Sequence, residues 1–101
     1  APHRYRSVTI DAEGDELDKH KVRHAQLTFT SNINHQPVTT QITLKNSGLA
    51  PTMIVDIPEG KDVEPTEVEI SWYLKGGKTV SKSFSLQSDI VYWDELPEVK
   101  K

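Results

Sequence analysis

The 101-residue chain contains no cysteine. That absence removes disulfides, thiolate nucleophiles and cysteine-ligated metals together, so the fold must be held by packing and backbone pairing. It leaves the compartment open, because cytoplasmic and bacterial envelope proteins both manage without disulfides. The Thr- and Ser-rich strand surfaces tip the expectation towards an extracytoplasmic setting, periplasmic or secreted. No apolar run approaches the roughly 18 residues that cross a bilayer, and no charged-then-apolar leader opens the chain, so membrane insertion is not expected. A first residue of alanine rather than methionine fits a processed end or an excised domain.

A basic stripe is also lacking. Twelve Lys and Arg are interspersed among 15 Asp and Glu for a net charge of −3, which argues against nucleic acid as a partner. Apolar residues are scarce at 35%, so the core must be thin and built from well-placed side chains. The length suits one domain spanning residues 1–101, with a charged, frayed tail over 97–101.

What is present is alternation. Val68, Ile70, Trp72 and Leu74 share one face of a strand while Glu67, Glu69, Ser71 and Tyr73 share the other. Gly76-Gly77 then supplies the positive φ of a tight turn, and Val80, Phe84 and Leu86 alternate against Thr79, Ser81, Ser83 and Ser85. A hairpin from about Glu67 to Leu86 follows. An earlier hairpin has the same design: Ala25, Leu27 and Phe29, a polar turn over 32–37, then Val38, Ile42 and Leu44. The likeness between the two is read as convergence on strand chemistry rather than duplication. Three shorter strands are expected at Tyr5 to Ile10, Met53 to Ile57 and Ile90 to Trp93, with Gly48 to Pro51, Pro58 to Lys61 and Pro65 as punctuation. Asp15 to Arg23 holds only two apolar residues, Leu17 and Val22, and reads as a loop or one helical turn. The expected fold is all-β: a two-sheet β-sandwich, immunoglobulin-like or similar, of six to seven short antiparallel strands.

Candidate chemistry is sparse. Asp11, Glu13, Asp15 and Asp18, with Glu16, form an acidic run around Gly14 that could converge on calcium, although the spacing does not fit a calcium-binding helix–loop–helix and an acidic solvated turn is the simpler reading. His20 and His24 lie four apart, a zinc spacing only if one helix carries both. If His24 starts a strand, the pair separates. His3 and His35 have no partner at a recognisable spacing, and Arg4, Arg6 and Arg23 read as surface ion-pairing residues. There is no Gly-x-Ser-x-Gly elbow and no phosphate-cradling loop. Enzyme activity is therefore not expected, and no cofactor is implied.

The aromatic residues carry more. Alternation puts Trp72 on the buried face beside Phe29 and Phe84, and turns Tyr73 outward. Tyr92 and Trp93 are adjacent, so only one of them can be buried. Tyr73, Tyr92 and Trp93 are thus the candidate contacts for a partner. The expected function is a non-catalytic interaction or structural module presenting a rigid β scaffold to a protein partner. Carbohydrate binding through the exposed aromatics is the alternative, and a small metal-dependent or hydrolytic enzyme comes third. The strands at Tyr5 to Ile10 and Ile90 to Trp93 are expected as edges able to accept a partner's strand.

Overall fold

The computed structural model describes residues 4–47 and 52–97. The expected breaker at Gly48 to Pro51, residues 98–101 of the expected tail, and His3 lie outside them. In chain order the elements are β1 (Arg4–Asp11), a single helical turn α1 (Glu16–Lys19), β2 (Val22–Ile33), β3 (Gln36–Lys45), β4 (Met53–Glu59), β5 (Glu67–Leu74), β6 (Thr79–Ser85) and β7 (Ile90–Tyr92). They form a sandwich of two sheets, three-stranded in the order β4-β1-β7 and four-stranded in the order β3-β2-β5-β6.

The alternation of the sequence becomes the two inner faces. Val8 and Ile10 of β1, Val55 and Ile57 of β4 and Val91 of β7 face Ala25, Leu27 and Phe29 of β2, Leu44 of β3, and Val68, Ile70 and Trp72 of β5. Fully burying each of the larger side chains contributes about 1.5–3 kcal/mol. Trp72 and Trp93 are both 0% exposed. Inward register on β2 continues past Phe29 to Ser31, whose buried hydroxyl lies 2.7 Å from that of Thr66. One hydroxyl donates to the other, so neither buried oxygen is left without a partner.

Three expectations change. The sheets are not wholly antiparallel: β7 runs parallel to β1, with Thr9 opposite Ile90 and Asp11 opposite Tyr92. The segment leaving β6 crosses to the other sheet before β7 begins, and Thr9 N–H donates to the Asp89 carbonyl at 2.8 Å on arrival. For the same reason β1 is not a full edge. It lies between β4 and β7: β4 pairs it from Arg4 to Ile10, whereas β7 covers its other side only from Thr9 to Asp11, so that side is unpaired by any described strand from Arg4 to Val8. The turn of the first hairpin is also tighter than the sequence suggests, only Asn34 and His35 separating β2 from β3.

Residue 93 fastens the two sheets. Its backbone N–H donates to the Asp11 carbonyl at 2.9 Å in the three-stranded sheet. Its carbonyl accepts the buried indole N–H of Trp72, from the four-stranded sheet, at 2.6 Å.

Candidate functional site

The three aromatic candidates do not share a surface. Tyr73 lies on the outer face of the four-stranded sheet, paired across the ladder with His24. The two rings stack with centroids 4.5 Å apart and planes 15° from parallel. Tyr92 lies on β7, near the Glu13 carboxylate. The hydrogen-bonding pull of Glu13, and after it the charge of that carboxylate, pushes the phenol pKa above its ordinary value. Trp93 is the member of the adjacent pair that is buried, so this expected binding residue belongs to the core and cannot touch a partner. A flat row of exposed rings, the geometry a pyranose stack requires, is therefore not formed by these three residues.

The acidic run is likewise dispersed, its carboxylates being drawn to separate neighbours except for Asp15 and Glu16, which share Lys19. Asp11 Oδ1 accepts from the Ala12 N–H at 2.8 Å and from the Thr52 hydroxyl at 2.9 Å. Glu13 lies near Tyr92. Asp15 and Glu16 both face Lys19 Nζ, at 3.6 and 3.4 Å, and the Glu16 hydrogen bond leads in raising that ammonium's pKa. Asp18 accepts from the Asn46 side-chain amide at 3.0 Å. Among the described residues no three His, Asp or Glu side chains converge as metal ligands would, so the calcium geometry weighed for Asp11, Glu13, Asp15 and Asp18 is not assembled. His20 caps α1 while His24 belongs to β2. The strand reading thus decides against the zinc spacing.

One carboxylate that no local pattern singles out is unusual. Asp94 is 3% exposed. Its Oδ2 accepts the Glu13 N–H at 2.8 Å, and its Oδ1 is buried without a hydrogen-bond partner among the described residues. Burial raises its pKa above the ordinary value, with the Glu13 backbone bond opposing the shift.

Lys82 stands at an inward position of β6, opposite Ile70. Its ammonium lies 5.8 Å from the Trp72 ring centroid and 5.5 Å from that of Phe84, and donates to the Glu95 carbonyl at 2.7 Å. The aliphatic stem thereby closes the open side of the sandwich while the charge reaches solvent. Beside it Phe84, Ile90, Tyr92 and Glu95 line a shallow cleft of about 180 Å³.

The two outer faces differ in kind. On the four-stranded sheet, cross-strand rows run Thr43, Gln26, Ser71, Ser81 and Gln41, Thr28, Glu69, Ser83, all polar. On the three-stranded sheet, Ile54 and Ile90 flank Thr9 in one row, 65% and 47% exposed, and Tyr5, 64% exposed, stands further along β1 on the same face. Sequence reasoning passed over Ile54 and Ile90. The signal was present as the polar-for-apolar exchange in Met53-Ile54-Val55, where both strand faces are apolar, but a short strand without assigned neighbours does not say which face is inward.

No protein-family model, no curated protein and no solved structure matches the chain.

Proposed function

We propose that the chain is a non-catalytic interaction module whose outer three-stranded face docks a protein partner. The observation that carries this reading is the row Ile54–Thr9–Ile90, with Tyr5 beside it: large apolar side chains held in water by a rigid sheet, while the opposite outer face carries polar rows and the stacked Tyr73–His24 pair but no exposed aliphatic side chain among the described residues. A soluble surface gains nothing from such a row unless something covers it. Asp56 and the Arg6–Asp89 pair at 2.9 Å stand around it and supply a polar rim. The hairpins β2–β3 and β5–β6, with crossings between the sheets, support an immunoglobulin-like reading of the sandwich.

Immobilised chain retains one reproducible protein from the extract of its source, identified by mass spectrometry and then purified. The double variant Ile54→Asp/Ile90→Asp, with unchanged circular dichroism, loses at least tenfold in affinity for that protein. Equal binding by the variant would overturn the reading, as would retardation of the chain by polysaccharide gels with no protein retained.

A further inference from the structure

The four-stranded sheet has a free edge that differs from the others. Asn34 and His35, at φ 51° and 67°, form a two-residue turn of the mirror-image type I form. In such a hairpin the flanking residues, Ile33 and Gln36, are the hydrogen-bonded pair, and bonded pairs then recur at every second position. The Asn46 N–H donating to the Arg23 carbonyl at 3.0 Å keeps this parity at the far end. The N–H and C=O groups of Thr39, Gln41, Thr43 and Lys45 therefore point away from β2. Pro37, which has no N–H to leave unpaired, occupies the first position of the same parity.

Among the described residues no strand pairs with that edge. The other edges are guarded: β6 by the inward-set Lys82, β4 by Asp56 and Pro58, β7 by its length of three residues, and the short side of β1 that β7 leaves open by Arg4 and Arg6. By contrast, β3 runs from Val38 to Leu44 without a charge, a proline or a glycine.

We infer that β3 pairs with β3 of a second copy of this chain, antiparallel, about a two-fold axis at Gln41. The register is self-complementary. On the outer face Thr39 meets the partner's Thr43 and Gln41 meets the partner's Gln41, so no like charges oppose each other. On the inner face Val38, 42% exposed in the single chain, meets the partner's Leu44, and Thr40 meets the partner's Ile42. Lys45 falls opposite the partner's Pro37. The two four-stranded sheets become one continuous sheet, and the contact closes at two copies because the same patch is used by both. With few apolar side chains in the contact, association is weak and concentration-dependent. This surface is separate from the Ile54–Ile90 row, so each reading stands or falls alone.

Sedimentation velocity on the chain, from dilute solution up to about 1 mM, tests it. The wild-type mass rises from one chain towards two. Q41K and Q41E, each placing like charges against each other at the axis, sediment as single chains, and an equimolar mixture of the two regains the dimer. Gln41 is exposed and its one side-chain bond, to the Thr28 hydroxyl, is long at 3.4 Å, so both variants keep the wild-type circular dichroism. A wild-type chain that stays single at every concentration would overturn the inference. So would a Q41K variant that associates as wild type does, or growth beyond two copies.

Discussion

Asp94 shows what tertiary placement does to a single group. Its carboxyl is buried by the segment that follows β7, and neither its neighbours in sequence nor any spacing marks it, so it was not legible beforehand. Because burial raises its pKa, the folded state holds the proton more tightly than the unfolded chain does. Folded stability then rises as pH falls through the raised pKa, the gain being complete below the ordinary value of 3.8. At neutral pH the ionised carboxylate is a cost that an amide does not bear. Asp94→Asn is therefore expected to melt higher relative to wild type at pH 7 than at about pH 4. Thermal unfolding of both proteins across that range checks it, and a difference that is constant or widens towards acid would contradict the assignment. Trp72 was legible, because strict alternation over Val68, Ile70 and Trp72 fixes its face. Trp93 was legible only as one of two, since parity separates it from Tyr92 without saying which is inward; the bond from the Trp72 indole to its carbonyl accompanies the choice made by the fold.

At the scale of elements, the hairpins follow from turn chemistry and period. Gly76 and Gly77 adopt φ values of 89° and 84°, the region that side chains with a Cβ avoid. A Cβ built at Gly77 meets nothing within 4 Å, so Gly77→Ala tests backbone strain without a clash. It is expected to lower unfolding stability by about 1 kcal/mol, read from denaturant midpoints at constant m-value, and an unchanged midpoint would show that the turn relaxes freely. The Asn34-His35 turn was legible only as a broader polar stretch, because neither residue is glycine and Asn alone tolerates the left-handed region well. Strand order was not legible. Which strands are edges depends on β1 being sandwiched between β4 and β7 and on β7 crossing sheets to run parallel. Local alternation carries neither fact. The expected edge at β1 survives only along Arg4 to Val8, β7 is an edge but only three residues long, and the long open edge is that of β3.

At the scale of the molecule, folding sorts a polar sequence into two unlike outer faces. The all-β sandwich could be read from the spacing of strands and turns. The division between a Thr-, Ser- and Glu-bearing face and one carrying Ile54, Ile90 and Tyr5 could not, since it requires the registers of three strands from distant parts of the chain. That division is the basis of the functional reading. It also separates the aromatic candidates: Tyr73 and Tyr92 are on different sheets and Trp93 is inside. The most direct test is backbone amide chemical-shift mapping of isotope-labelled chain as the purified partner is titrated to saturation. The account predicts that the largest changes fall on Tyr5, Ser7, Thr9, Ile54, Ile90 and Tyr92, with Gln26, Tyr73 and Ser81 unmoved. Changes centred on Gln26, Tyr73 and Ser81, with the Ile54–Ile90 row silent, would contradict it.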